Sequence, residues 1–191
     1  MVRGLLRAFT VVVILAIALL ILDFAELLVP VTSKGTASMA PTIPACDGRM
    51  LAEGFTYKLR DPRRGEVVVI HAAGELGGEI TPDSDADDLE LTARIVGLPG
   101  DQVVGRDESV FVNGIKLDDI ATAPFPRVDV PSGQYFVLGD NRSASQDSRE
   151  FGPVLREAIF GRVLLVFWPL RDFTFRTDPE SGVPPGQVDC S

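Results

Sequence analysis

The stretch Ile95-Val96-Gly97-Leu98-Pro99-Gly100-Asp101, continued by Val103-Val104 and by Ser109-Val110-Phe111-Val112-Asn113-Gly114, decides the fold class of this chain. Its short apolar segments are separated by turn chemistry and not by helical patterns. Gly97 to Asp101 combines the residues that supply a positive φ, a fixed φ and a side-chain acceptor in turns. Asn113-Gly114 behind a β-branched and aromatic run is the strongest short-range hairpin signal. Working outward, Val67-Val68-Val69-Ile70 follows the turn Arg63-Arg64-Gly65-Glu66 and reads as a buried strand. Tyr135-Phe136-Val137-Leu138 precedes Gly139-Asp140-Asn141, and Val163-Leu164-Leu165-Val166-Phe167 precedes Pro169. Short strands joined by turns, without alternating helices, predict a mainly β domain. Helix is expected chiefly near the N-terminus.

The 191 residues suffice for one domain with its own core beside a membrane segment, and are too few for a second large one. A net charge of −9 with no basic run beyond the N-terminus gives no nucleic-acid footprint. The acidity suits a solvent-facing domain. Cys46 and Cys190 have no CxxC spacing, and the single histidine, His71, has no evident ligand partners, so no zinc site is expected. Cys190 lies in a polar tail, which argues against a disulfide with Cys46. Residues 74–90 are rich in glycine and acid and read as a solvated loop. Asp83, Asp85 and Asp87 alternate as in a calcium loop, but the central glycine and the closing glutamate are missing. The tail after Arg171 is proline-rich.

From Ala8 to Leu22 the chain is almost wholly apolar, and Phe24, Ala25, Leu27, Leu28 and Val29 extend the pattern past Asp23 and Glu26. A helix needs about 20 residues to cross the hydrocarbon layer. Residues 8–29 meet this with the two acids at the far interface. Arg3 and Arg7 keep the short N-terminal side in the cytoplasm by the positive-inside rule, which sends the following domain across. A cleavable signal peptide is the alternative, since the n-region is positive and the apolar core is short. Asp23 to Pro30 is bulky or charged where processing needs small side chains, which favours an uncleaved anchor. The expected division is a cytoplasmic stub and transmembrane anchor over 1–29, an extracytoplasmic β domain over 30–170, and a polar tail over 171–191.

Ser38-Met39-Ala40-Pro41-Thr42 then sets a serine just outside that anchor. A serine hydroxyl is a poor nucleophile near neutral pH unless a positioned base takes its proton. Taken in order, this segment, Arg64-Gly65-Glu66-Val67-Val68, Arg94-Ile95-Val96-Gly97-Leu98-Pro99-Gly100-Asp101, and Gly139-Asp140-Asn141-Arg142 through Asp147-Ser148-Arg149 resemble the four boxes of the bacterial signal peptidase I family. The resemblance runs from the anchor to Leu170. It implies a signal peptidase-like β domain with one N-terminal transmembrane helix, held in the bacterial cytoplasmic membrane with its N-terminus in the cytoplasm. It also implies a serine endopeptidase that removes signal peptides from exported preproteins after a small-x-small motif. Those preproteins and the lipid bilayer are the implied partners. No nucleic acid, metal or organic cofactor is implied.

In that family a neutral lysine, its pKa lowered by burial, activates the serine in a Ser/Lys variant of the triad logic. The lysine stands immediately before the arginine that matches Arg94. Here that position is Ala93. The resemblance further assigns the Ser38 N–H and the Thr36 hydroxyl to an oxyanion hole, and Ser145 to orienting the lysine amine. Asp147 and Arg149, with Arg94 and with Asp140 of the last box, resemble a bracing ion-pair cluster. Met39 and Pro41 resemble the segment that lies against the bilayer and shapes the substrate groove. Among substitute bases, Lys34 matches a groove position, Lys58 and Lys116 fall outside the base position, and Thr92 cannot act as a base near neutral pH. His71 has a precedent in the eukaryotic relatives but lies at the end of a different strand.

Three readings follow. The chain is a signal peptidase I-type enzyme that takes its substrate as an added β-strand, or a homologue that binds signal peptides without cutting them, natural or as an engineered Lys-to-Ala form. The third is a maturation peptidase of the same fold for one dedicated substrate, such as a pilin.

Overall fold

The computed structural model describes residues 9–14, 28–32, 37–45, 48–71 and 90–168. The expectations on Arg3, Arg7, Lys34, Thr36, the two cysteines, the acidic stretch before Glu90 and the tail lie outside these residues. In chain order the elements are β1 (Leu28–Thr32), β2 (Arg49–Glu53), α1 (Thr56–Leu59), β3 (Val67–His71), β4 (Glu90–Gly97), β5 (Gln102–Arg106), β6 (Ser109–Val112) and β7 (Ile115–Lys116). They continue as β8 (Phe125–Asp129), β9 (Gln134–Leu138), α2 (Ser148–Phe151), β10 (Val154–Leu155), a 3-10 turn (Arg156–Ala158) and β11 (Ile159–Trp168). The mainly β expectation holds, with two four-residue helices that the sequence pattern does not announce.

Seven strands form one sheet in the order β1-β2-β11-β3-β4-β9-β10, and β7-β6-β5-β8 form a second. The β-branched run of β3 explains its central place. Its side chains alternate between two faces, and all four of Val67 to Ile70 are fully buried, so both faces are covered. Val67 and Val69 join Met39, Ile43, Met50, Ala52, Val163 and Val166, whereas Val68 and Ile70 join Ala93, Ile95, Tyr135 and Val137. A third cluster, including Val96, Val103, Val110, Phe136 and Leu138, seats the smaller sheet on the larger.

The hairpin read from Asn113-Gly114 is present. Asn113 and Gly114 take φ of 53° and 81° and join β6 to β7, as a type I′ turn requires. The preceding turn is held by Asp101, whose carboxylate accepts from Leu98 N–H (2.6 Å), Asn113 Nδ2 (2.7 Å) and Arg64 Nη2 (2.6 Å). Burial pushes this carboxyl up, but those three donors hold it below the usual aspartate range.

At the N-terminal side, residues 9–14 are helical. None of the described helices is long and apolar enough to cross a membrane. Leu28 and Val29, read as the end of the apolar run, instead open strand β1 and pair with Glu53 and Ala52. Pro30 is tolerated there because β1 is an edge strand, where one row of backbone groups needs no partner.

Candidate active site

Ser38 sits in a short loop that is plugged into the core and tied to a distant turn. Met39, Ala40, Ile43 and Ala45 are buried, with Met39 and Ile43 packed on Met50, Val67 and Val69. Asn141 N–H donates to Ser38 O (2.9 Å), and Thr42 Oγ1 donates to Asp140 Oδ2 (2.5 Å). Two bonds to the 139–142 turn therefore fix the loop on either side of Met39. Pro41 is exposed, and Ser38 is half-buried.

Strand β4 sorts its side chains by alternation. Leu91, Ala93 and Ile95 face the cluster that holds Val68 and Val137. Thr92 and Arg94 face the other way, Thr92 Oγ1 toward Met50 Sδ at 3.9 Å and Arg94 onto Asp140. Arg94 pairs with Leu138, and continuing that antiparallel register by one residue sets Ala93 opposite Gly139. A side chain at Gly139 has no room. A Cβ there would lie 2.2 Å from Ser145 Oγ and 2.6 Å from Ser38 O. Residue 93 therefore lies on the face where Ser145 and the Ser38 main chain occupy the place that a side chain at 139 would take. Ala93, only 6% exposed, brings no titratable group to it.

Two separate ion pairs brace the surroundings, in place of the single cluster expected. Arg94 Nε and Nη2 donate to Asp140 Oδ1 (2.7 Å) and Oδ2 (2.5 Å), and Arg94 Nη1 donates to Gly65 O (2.7 Å). Arg149 Nε and Nη2 donate to Asp147 Oδ1 (2.7 Å) and Oδ2 (2.9 Å). Asp147 also caps α2 through Arg149 N–H and accepts from Gly139 N–H at 3.0 Å. Arg149 then reaches Ser145 O (3.1 Å) and Arg142 O (2.7 Å), which sets the turn that carries Ser145.

Sequence reasoning missed Thr42 and Arg142 as positioning residues, although both stand in the quoted boxes. Buried Arg142 donates to Gly139 O (3.0 Å), Thr122 Oγ1 (2.9 Å) and Asp118 Oδ2 (2.6 Å). Nothing local in the sequence marks Asp118 or Thr122 for this task.

Of the substitute bases among the described residues, none is set beside Ala93 on its own strand face. His71 pairs with Glu90, three residues along β3 from the Val68↔Ala93 pair, about 10 Å at strand rise. Its ring packs edge-on against Phe160 at 4.9 Å. Lys58 is exposed on α1, and Lys116 pairs with Asp119. Among the described residues no cluster of His, Cys, Asp or Glu is arranged to hold a metal.

A match to the family described as signal peptidase, peptidase S26, spans residues 3–168. The chain is similar to the probable signal peptidase I-2 of Synechocystis, 41% identical over 148 residues that make up 75% of this chain and 65% of that protein. It thus spans slightly less than two thirds of that relative's length. It is 34% identical over 176 residues to signal peptidase IB of Staphylococcus aureus, covering 80% of this chain and 84% of that protein. A crystal structure of a signal peptidase I from Enterococcus faecalis shares 27% identity with a TM-score of 0.43, covering 54% of this chain and 97% of that one.

Proposed function

Because the chain belongs to the signal peptidase family, peptidase S26, a family of serine endopeptidases, we propose that it is built as a membrane-anchored, type I signal peptidase whose general-base position is occupied by Ala93. The observation that carries this reading is the meeting of residue 93, Gly139, Ser145 and Ser38 at one place. On this reading residue 93 is where the base's lysine stem would stand, and an alanine there leaves the serine without a base. On this reading a preprotein docks as an extended strand, with its small-x-small segment beside Ser38. Ser38 Oγ is the atom that would attack the scissile carbonyl, forming an acyl-enzyme that water hydrolyses. The Ser38 N–H and Thr36 hydroxyl are the proposed donors to the oxyanion. Without a base the hydroxyl keeps its proton, and the groove binds more than it cuts.

The chain as it stands is therefore expected to cleave an Ala-x-Ala preprotein at a rate that Ser38→Ala lowers by less than about twofold, since an unactivated serine contributes little. Turnover in the ordinary enzyme range of about 1–10³ s⁻¹ that is lost on Ser38→Ala would falsify the assignment of Ala93. Lys34→Ala and His71→Ala would then identify the base in use.

The second reading, a signal-peptide-binding homologue, is favoured by the same alanine. It keeps the groove and the bracing pairs and differs only in what Ala93→Lys restores.

For location we propose a single-pass protein of the bacterial cytoplasmic membrane with its β domain outside. Arg3 and Arg7 motivate this orientation. Protease added to spheroplasts is expected to digest the β domain and spare the N-terminal segment. A protected β domain with an accessible N-terminus would reverse the topology.

A further inference from the structure

The end of the large sheet where Leu28 enters carries a segment rich in basic residues on this acidic chain. Leu28 pairs with Glu53, and Glu53 pairs with Arg162. The chain then runs through Gly54-Phe55 into α1 and on to Arg63-Arg64 before β3. Residues 54–64 hold four basic side chains, Lys58, Arg60, Arg63 and Arg64, and one acid, Asp61. Leu59, Asp61 and Pro62 interrupt them, so they do not read as a basic run.

The segment is rigidly seated by its inward side chains. Tyr57 is buried, and its hydroxyl donates to Glu66 Oε2 (3.0 Å). Glu53 Oε2 accepts from Thr56 N–H (2.8 Å), and Glu66 accepts from Arg63 N–H (2.9 Å) and from the Arg60 guanidinium. Arg162 lies 3.5 Å from both Glu53 and Glu66. Glu53 and Glu66 are thus turned inward and neutralised, whereas Asp61 is exposed and lies 3.6 Å from Arg156 Nε. Apart from Asp61, what faces outward is apolar and positive: Leu59 is 72% exposed, Phe55 is 41% exposed, and Lys58, Arg63 and Arg64 are exposed in the same segment.

We infer that the Phe55–Arg64 segment is a membrane contact, with Phe55 and Leu59 entering the interfacial layer and Lys58 and Arg63 meeting anionic lipid headgroups. The occupant is a bilayer because the apolar run of residues 8–22 is joined to the fold at Leu28, directly beside Glu53, and because the exposed charge is the complement of an anionic headgroup. The inference rests on the membrane reading proposed above. Apolar side chains backed by basic ones are the usual composition of interfacial elements. Each basic residue near an anionic surface strengthens contact about fivefold.

The test uses the full chain with Cys46→Ser and Cys190→Ser, carrying an environment-sensitive fluorophore on Leu59→Cys. A companion carries it on Ile115→Cys, an exposed site on the smaller sheet. Both are reconstituted in phosphatidylcholine vesicles with and without phosphatidylglycerol. With phosphatidylglycerol, the residue 59 probe is expected to shift blue, to be quenched by shallow spin-labelled lipid, and to resist aqueous iodide several-fold more than the residue 115 probe. Lys58→Glu with Arg63→Glu, both on exposed side chains, should remove most of that protection. Equal iodide access for the two probes on floating vesicles overturns the inference, and equal protection in pure phosphatidylcholine overturns its anionic part. Flotation in high salt reads the anchor independently, so loss of flotation speaks against the anchor and the probe pair speaks to this segment.

Discussion

Ala93→Lys is expected to create Ser38-dependent cleavage of an Ala-x-Ala preprotein where the present chain has next to none. General-base catalysis contributes roughly 10²–10⁴-fold, and activation of the nucleophile makes the upper part of that range the expected gain. The geometry supports the substitution on three counts. Residue 93 lies on the face where Gly139 has no side chain, Ser145 Oγ stands beside that position, and Ser38 O stands beside it too. Val68, Ile95 and Val137 belong to the cluster around Ala93 and desolvate the stem. Desolvation disfavours the ammonium, so the lysine pKa falls below its solution value of about 10.4. The active form is the neutral amine, and the rate should therefore rise with pH through that lowered pKa and flatten above it. The penalty of burying the ammonium is complete at and below that lowered pKa, and the fold should gain stability as pH rises from it to about 10.4, where the unfolded chain also loses the proton. Activity must vanish on Ser38→Ala in the Ala93→Lys background. A folded Ala93→Lys protein that shows no Ser38-dependent cleavage at any pH would sink the peptidase reading and leave the signal-peptide-binding one.

The second large effect concerns stability. Asp140→Ala is expected to destabilise the domain by about 3–5 kcal/mol, the usual consequence of stripping one partner from a buried ion pair. Arg94 and Asp140 side chains are 7% and 5% exposed, and the same carboxylate accepts the Thr42 hydroxyl. Removing it strands a guanidinium and frees the Ser38 loop together. Thermal unfolding should shift down by roughly 6–20 °C for a domain of this size. Arg94→Met combined with Asp140→Leu should recover much of the loss, because no charge then remains buried. A shift under about 2 °C for Asp140→Ala would show that solvent reaches this pair and that it braces nothing. The exposed Arg127–Asp129 pair supplies a control within the same chain, and its removal should change stability by less than about 1 kcal/mol.

What is legible in the sequence follows from range. Val67 to Ile70, Tyr135 to Leu138 and the Asn113-Gly114 hairpin announce themselves through local composition, and each forms as read. β1 merges with the apolar run because Leu28-Val29-Pro30-Val31 has no alternation, and only its pairing with β2 makes it a strand. β2 itself, Arg49 to Glu53, has no β-branched or aromatic residue to mark it as a strand. The site divides in the same way. Asp147 as the cap of α2 has a short-range signature in the Arg149 N–H two residues on. The separation of Arg94–Asp140 from Asp147–Arg149 does not, since alternation along β4 decides which way Arg94 points. Thr42 and Arg142 act on partners 98 and 20 to 24 residues away, and no spacing rule reaches that far.

Asp140 binds Thr42 across 98 residues and Arg94 across 46, so it ties together three parts of the chain made at widely separated times. Contacts of such long range form only after the entropy of closing the intervening loops has been overcome. The serine loop and the turn after β9 therefore hold each other in register. The site is complete only once all three parts have met at this one carboxylate.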